Sequence, residues 1–239
     1  YALSSPWAVS HAQKIRADYK KETVINEKVI EKIIDDESKL LMNEFILDLQ
    51  KSKSSNLDIT LFEKKIFDIR LNGYSVNNYS GKKTSVLEVS FAITLASQNI
   101  LNKIISELGK VFHVKHEYFH GSLLLHYLAL RSLSPNRDEY TSLHVHGELT
   151  DIVIVNKGSS VFLASFPFGA YTLVRKIAKS MRISPENVKS MLSLYEEDKL
   201  ENKKRSDFEE VLNEVLQGWK RDLVETLEKE QQSQGEDRI

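Results

Sequence analysis

The sequence LHVHGELTDIVIVNKGSSVFLASFPFGAYTLVRKIAKSMRISPENVKSML, at residues 143–192, carries three strand patterns followed by two helix patterns. The strand patterns are short runs of apolar and β-branched residues, and they lie at Ser142–Val145, Ile152–Val155 and Val161–Phe166. Gly147-Glu148 joins the first strand to the second, and Lys157-Gly158 joins the second to the third. This order of strands and helices predicts an α/β or α+β protein with mixed sheets.

The helices after these strands have clear start signals. Apolar residues at helical spacing predict one helix around Val174 and Ile177, and Ser184-Pro185 predicts the start of the next. Ser206 and Glu209 have the spacing of a capping box and predict the start of a third helix. This helix carries Trp219, which we expect in the core, with a groove for a partner as the alternative. The tail after Glu228 is polar and is expected to fray.

The first 140 residues also alternate between strand and helix patterns. Strands are predicted at Lys14–Lys20 (a weak edge strand), between Ile59 and Leu71, at Val86–Leu95 and at Glu117–Phe119. Helices are predicted from the cap residue Asn26 to Leu49, from Ser97 to a C-terminal cap at Gly109, and over Leu123–Leu133. Lys51–Asn56 reads as a loop, and Asn72-Gly73 and Ser80-Gly81 read as structural turns, with a protein-binding edge as the alternative for their strands.

Composition limits the classes of function. The 239 residues have a net charge of -1 and no basic cluster, so we expect no nucleic-acid partner. The absence of cysteine excludes disulfides, thiolate catalysis and cysteine-ligated zinc. No signal peptide is visible, and no apolar run reaches the roughly 18 residues of a membrane span. Because the chain begins at Tyr1 rather than at a methionine, we expect it to be a fragment.

Two stretches together resemble the bacterial actin-like superfamily, in particular the cell-division protein FtsA and the pilus-assembly protein PilM. Within Phe62–Leu130, the run KIFDIRLNGYSVNNYSGKKTSVLEVSFAI resembles the strand, turn and long strand of the small inserted subdomain, called SHS2-like or 1C. A helix at Ile100–Leu108, a strand and the SLLLHYLAL helix then follow in the family's order. The second stretch, Leu143–Tyr195, resembles the phosphate-binding hairpin, its returning strand and a helix pair.

The resemblance implies an α/β (α+β) fold: a portion of the actin-like (ribonuclease H-like) fold with an inserted SHS2-like strand-helix-strand subdomain. Its implied parts are the end of the first actin-like subdomain at 1–22, the inserted subdomain at 23–112, a return to the first lobe at 113–140 and a partial second lobe at 141–239. The family's first phosphate loop should lie upstream of Tyr1 and its adenosine-binding glycines beyond Ile239. The resemblance thus allows ATP and magnesium as ligands of the full-length protein, and it implies that this chain binds them weakly or not at all.

The phosphate hairpin departs from the family pattern. The family reads roughly Asp-Ile-Gly-Gly-Gly-Thr-Thr-Asp, and the matching residues here are His144-Val145-His146-Gly147-Glu148-Leu149-Thr150-Asp151. His144 replaces an acidic residue of the metal-water network, whose charge a neutral imidazole does not supply. His146 replaces a glycine that lets the backbone approach phosphate oxygens. The candidate cofactor-binding residues are those of this residual loop: His144, His146, Gly147, Glu148, Thr150 and Asp151. The simpler alternative is a tight hairpin.

The resemblance and the damaged loop together favour a scaffold or adaptor protein over an enzyme, and no catalytic or metal-binding residue is assigned. We expect such a protein at the cytoplasmic membrane face, peripheral to the inner membrane, in cell division or in type IV pilus or secretion assembly. Its expected partners are a division filament or the tail of a pilus membrane protein, and itself through the inserted subdomain. One alternative is an active ATPase of the same fold. Another is a metal-dependent enzyme that uses His144 and His146, which share one face of a strand.

Overall fold

The computed structural model describes residues 1–51, 58–112, 117–156 and 160–235. The chain divides into two compact units, which are described separately below. Unit 1 comprises Tyr1–Ser142 and Val153–Leu163, and unit 2 comprises Leu143–Ile152 and Ala164–Ile239. The predicted loop at Lys51–Asn56, apart from Lys51 itself, and the predicted Lys157-Gly158 turn lie outside the described residues.

An antiparallel sheet dominates unit 1. Its strands are β2 (Ala8–Val24), β3 (Ile59–Leu71), β4 (Tyr74–Ser75) and β5 (Lys83–Ser97), in the order β2-β5-β3-β4. β5 lies in the middle, and its residues from Val89 to Ser97 are nearly all buried. The predicted edge strand at Lys14–Lys20 is part of the longer strand β2, which lies at one edge of the sheet. β2 runs from Ala8 to Val24, so it crosses the predicted division between residues 1–22 and 23–112.

The helix α1 (Glu27–Lys51) packs on this sheet. It begins as predicted, because Asn26 Oδ1 accepts a hydrogen bond from the Val29 backbone N–H at 3.0 Å. Ile30 and Ile34 of this helix are buried against the sheet, with the large side chains of β5 around them. Burying each isoleucine contributes about 1.5–3 kcal/mol, which makes this apolar face the main anchor of the helix.

The hairpin between β3 and β4 uses the predicted turn. Asn72 and Gly73 both have positive φ, 50° and 85°, which is the backbone of the two-residue turns that suit twisted strands. Asn72 has a second role, because its Oδ1 accepts hydrogen bonds from the backbone N–H groups of Ser85 and Val86 on β5, at 3.1 and 3.0 Å. The turn therefore also ties β3 to the start of β5.

The remaining elements of unit 1 are two short strands and two helices. α2 (Gln98–Val111) follows Ser97 but runs through Gly109, so the predicted glycine cap is wrong: Phe112 ends the helix by donating its backbone N–H to Leu108. The strand predicted at Glu117–Phe119 lies instead at β6 (His120–Gly121), because these two residues pair in parallel with β1 (Ala2–Leu3). α3 (Ser122–Leu133) forms as predicted.

The third sheet has the order β7-β8-β9, formed by β7 (Tyr140–Val145), β8 (Thr150–Asn156) and β9 (Ser160–Phe166). Three helices follow: α4 (Ala170–Met181), α5 (Pro185–Glu196) and α6 (Asn202–Gly235). α5 begins as predicted, since the Ser184 hydroxyl accepts a hydrogen bond from the Asn187 backbone N–H at 3.3 Å.

α6 differs from its prediction at both ends. It begins at Asn202 rather than at Ser206, and the predicted capping box is wrong because Glu209 bonds to the Arg205 side chain, at 2.9 Å, instead of to the helix start. The helix also continues beyond Glu228 to Gly235, through the Lys, Glu and Gln residues of the tail, which are strong helix formers. Across the described ranges, no helix is both long enough and apolar enough to cross a membrane.

Candidate functional site

The hairpin between β7 and β8 holds all six residues of the predicted phosphate loop. It closes through a hydrogen bond from the His146 backbone N–H to the Leu149 carbonyl, at 2.8 Å, which leaves Gly147 and Glu148 as the two turn residues. Neither of them has a positive φ. The need for glycine at position 147 therefore comes from its surroundings rather than from its backbone angles.

The Asp151 carboxylate is bonded on both of its oxygens. Its side chain is 3% exposed, its Oδ2 lies 2.8 Å from His146 Nε2, and its Oδ1 accepts a hydrogen bond from the Ser165 hydroxyl at 2.5 Å. A buried carboxylate is costly unless it is paired and hydrogen-bonded, and these two partners meet that need. His146, at the position that we matched to a glycine of the actin-like pattern, thus bonds directly to Asp151.

Thr150 is fully buried and is also held within unit 2. Its hydroxyl donates to the Phe168 carbonyl at 2.6 Å and accepts from the Trp219 indole N–H at 3.0 Å. The Trp219 ring packs against Phe166 with 6.0 Å between ring centroids. Trp219 is thus partly buried rather than a fully buried core residue, and it connects α6 to the hairpin by a polar as well as an apolar contact.

The first residues of α4 lie against the turn. The backbone N–H groups of Ala170 and Tyr171 donate to the carbonyls of His146 and Gly147, at 2.8 and 2.6 Å. The first four N–H groups of a helix have no partner within the helix, so the hairpin carbonyls satisfy two of them. These donors at the positive end of the helix are consequently already in use.

Two glycines allow this close approach. A Cβ on Gly169, which precedes α4, would lie 2.5 Å from the His146 carbonyl oxygen and 2.6 Å from the carbonyl group of Gly147. A Cβ on Gly147 would lie 2.7 Å from the ring of Tyr171. The Tyr171 ring therefore lies directly against the turn glycine.

Glu148, the exposed turn residue, pairs with an arginine on α4. Arg175 donates two parallel hydrogen bonds to its carboxylate, at 2.8 and 2.5 Å, and the Thr172 hydroxyl adds a longer one at 3.4 Å. The hydrogen bonds from Arg175 lower the pKa of Glu148 below its usual value. Because both side chains are more than half exposed, this pair contributes little to stability, although its two-point geometry fixes the turn on the helix.

His144 is exposed, and its ring lies 3.9 Å from that of His146, centroid to centroid. His146 directly follows the last residue of β7, and its ring lies on the same side of the chain as that of His144, as their spacing predicts. In the part of the chain that the structure describes, no three His, Asp or Glu side chains are grouped so that they could hold a metal ion. The alternative of a metal-dependent enzyme stays a prediction.

Four residues that surround the hairpin are not predicted from the sequence: Ser165, Gly169, Tyr171 and Arg175. For two of them, the sequence context could have indicated a contact. Ser165 is a polar residue in an otherwise apolar strand, which often indicates a buried partner, and Gly169 stands at the junction of a strand and a helix, where close backbone contact is common. Nothing in the local sequence indicates that Arg175 pairs with Glu148, because that contact depends on the packing of α4.

Comparison with known proteins gives a fold and no family. No protein-family model matches the sequence. No curated protein matches it either. Among solved structures, a chain of a PilM-PilN type IV pilus biogenesis complex superimposes with a TM-score of 0.60 and 13% sequence identity. The match covers 96% of this chain but only 57% of that chain, so this chain spans little more than half of its length. At this identity the similarity shows the fold alone: the chain shares the actin-like fold of that pilus protein.

Proposed function

We propose that this chain belongs to a non-enzymatic scaffold or adaptor of type IV pilus or related assembly, and that its nucleotide hairpin now serves a structural purpose. The structural similarity to a protein from a pilus biogenesis complex supports the choice of machinery. The inserted SHS2-like subdomain, the cell-division alternative and the position at the cytoplasmic membrane face stay predictions, as do the domain boundaries.

The bond between His146 and Asp151 is the observation that carries the proposal. An actin-type hairpin serves a nucleotide when its acidic and glycine positions face the phosphates and their metal. Here the retained aspartate is buried and bonded on both oxygens, and the residue that bonds it is the histidine that replaces a glycine. A phosphate or a hydrated magnesium ion would have to break these bonds to reach the carboxylate, which would leave buried polar groups without partners.

The rest of the hairpin supports the same conclusion. The Thr150 hydroxyl has two partners within unit 2, and the first N–H groups of α4 are bonded to the hairpin carbonyls. The Tyr171 ring lies over Gly147. The arrangement thus does not fit a bound phosphate, because the Thr150 hydroxyl and the backbone N–H groups of Ala170 and Tyr171 already have partners within unit 2.

A steady-state measurement of phosphate release tests the proposal. We would compare the intact protein, with ATP and magnesium, with its His144→Asp, His146→Gly double variant, which restores the family residues at both positions. The proposal predicts no release above background from the natural protein. A magnesium-dependent rate that is lost in an Asp151→Asn variant would instead favour the active ATPase.

Binding to a membrane-protein partner is tested by a separate assay. The expected partner is the tail of a membrane protein of the pilus machinery, so co-sedimentation of the protein with membranes that carry that machinery should depend on the partner and not on ATP. Membrane binding that persists when the partner is deleted would contradict an adaptor role.

A further inference from the structure

A cleft between α4 and α6 in unit 2 is lined mainly by positive side chains. It has a volume of about 460 Å³ and lies on the flanks of the two helices. Its lining residues are Lys176, Lys179, Ser180, Glu214, Val215, Gly218 and Arg221. Three cations therefore face one carboxylate, and we name these residues together the cationic cleft.

The three cations of this cleft have no acidic partner within the described part of the chain, in contrast to Arg175 beside them, which pairs with Glu148. Lys176 is held in place by a different contact, because its ammonium group lies 4.4 Å from the centre of the Phe168 ring. Unpaired charges of one sign along a low-dielectric wall raise the local potential and attract counter-ions. An anionic occupant would relieve this repulsion.

The glycine at position 218 supports a binding role for the cleft between α4 and α6. It lies in the interior of α6, where glycine costs about 1 kcal/mol of helix stability relative to alanine. A Cβ at this position would meet its nearest neighbours, Phe168 and the Lys176 ammonium, at 3.7 and 3.8 Å, which are ordinary contact distances. Packing therefore does not require a glycine here, and a side chain at this position would add to the lining of the cleft.

The donors of the cleft favour carboxylates over a nucleotide. The lining residues all lie on α4 or α6, Lys179 and Ser180 in the last turn of α4, and none lies at a helix N-terminus, so the cleft offers side chains rather than the free backbone amides of a phosphate loop. The nearest aromatic ring, Phe168, is 1% exposed and already covered by Lys176, so no face is open for stacking a base. Two flexible ammonium groups and one guanidinium fork suit a row of carboxylates.

We propose that the cationic cleft is the docking site for an acidic peptide segment of a partner protein. The proposal rests on the scaffold function above and adds the chemistry of the partner: several Asp or Glu residues close together, presented on an extended or helical segment. Lys176 and Lys179, three residues apart on α4, and Arg221 on α6 would each meet a carboxylate. Val215 is the apolar side chain in the lining of the cleft, and it is buried.

A labelled peptide of eight glutamates, measured by fluorescence anisotropy at low salt, probes the site on the intact protein. A glutamine peptide of the same length is the control. We expect binding of the glutamate peptide alone, with an affinity that falls as salt is added. No binding of the glutamate peptide at low salt would overturn the proposal.

Matched variants locate the binding. The triple variant Lys176→Gln, Lys179→Gln, Arg221→Gln should bind on the order of tenfold more weakly, since each surface ion pair is worth roughly a two- to fivefold change. The control Lys203→Gln, Lys220→Gln, Lys229→Gln removes the same charge from exposed positions elsewhere on α6 and should change affinity by less than about threefold. Glu214→Gln should tighten binding, because it removes the only carboxylate of the cleft. Equal losses in the two triple variants would refute a localised site.

The same variants separate this proposal from its rivals. If ATP with magnesium binds and displaces the peptide, and its binding is lost in the cleft triple variant, the cleft is a nucleotide site and the peptide proposal is wrong. The Asp151→Asn variant leaves the cleft intact, so ATP binding by the natural protein that survives in the cleft triple variant and is lost in Asp151→Asn would contradict the scaffold function without affecting the peptide result.

Discussion

Replacing Gly169 with alanine tests the contact between the hairpin and α4. The backbone of Gly169 has φ -122° and ψ -171°, an extended conformation that alanine adopts without strain, so the effect is purely steric. The new Cβ would lie 2.5 Å from the His146 carbonyl oxygen and 2.6 Å from the carbonyl carbon and oxygen of Gly147. All three atoms belong to the backbone and cannot turn aside as a side chain would.

The cost follows from the movement that this clash demands. The hairpin must retreat from α4 by about 0.9 Å to restore ordinary contact, which stretches the 2.8 and 2.6 Å hydrogen bonds to Ala170 and Tyr171 beyond useful length. Overpacking costs about 1–3 kcal/mol, and each lost hydrogen bond costs about 1 kcal/mol. Because relaxation exchanges one cost for the other, we expect a loss of about 1–3 kcal/mol in the free energy of unfolding.

Urea unfolding followed by circular dichroism and tryptophan fluorescence measures this loss. Gly109→Ala is the matched control: the glycine lies within α2, with nothing within 4 Å of its added Cβ, so the variant should gain about 0.5–1 kcal/mol. A Gly169→Ala protein that unfolds at the urea concentration of the natural protein would refute the described packing. If Gly109→Ala instead lowered the stability, the glycine would be acting as the C-terminal cap of α2, and the helix would end there.

Three further predictions concern single side chains. Thr150→Val leaves the Trp219 N–H without its acceptor and should lower the free energy of unfolding by about 1–3 kcal/mol in urea, whereas Thr226→Val, whose hydroxyl bonds only within α6, should have a much smaller effect. Because Arg175 lowers the pKa of Glu148, the stabilisation from this pair is present above the ordinary value of 4.5 and is lost as pH falls through the lowered pKa; the difference in stability between the natural protein and Glu148→Gln should shrink below pH 4.5 and should not change above it. Burial raises the pKa of Tyr127 to about 12, so its stabilisation is complete below the ordinary pKa of 10.0 and is lost as pH rises through the raised value; Tyr127→Phe should flatten the alkaline fall in stability, and a parallel fall in both proteins would contradict this assignment.

Much of the fold follows from local sequence signals. Helices with a good cap, such as the ones that begin at Asn26 and Ser184, and strands with a continuous apolar run, such as β5, lie where their patterns predict. One error comes from a tertiary contact: β6 pairs with β1, and this pairing of two distant segments is not visible from spacing along the chain. The other error is local: α6 begins at Asn202, so Ser206 and Glu209 lie inside the helix, where Glu209 pairs with Arg205 at i,i+4 spacing instead of forming a capping box.

The candidate site shows the same division. The sequence locates the hairpin and indicates that His146 departs from a phosphate loop. It does not show that the imidazole bonds to Asp151, since that depends on the register of β7 and β8, nor that Tyr171 covers Gly147. These contacts are what distinguish a closed hairpin from a damaged but open loop, and they become visible only when α4 is placed on the turn.

Calorimetric titration of the intact protein with ATP and magnesium tests the central claim, that the hairpin is closed by its own side chains. We expect no measurable heat of binding for the natural protein, and a gain of binding in the His144→Asp, His146→Gly double variant, in which Asp151 loses its imidazole partner and the ring at position 146 is removed. Binding of ATP by the natural protein at micromolar concentration, abolished by Asp151→Asn, would contradict it.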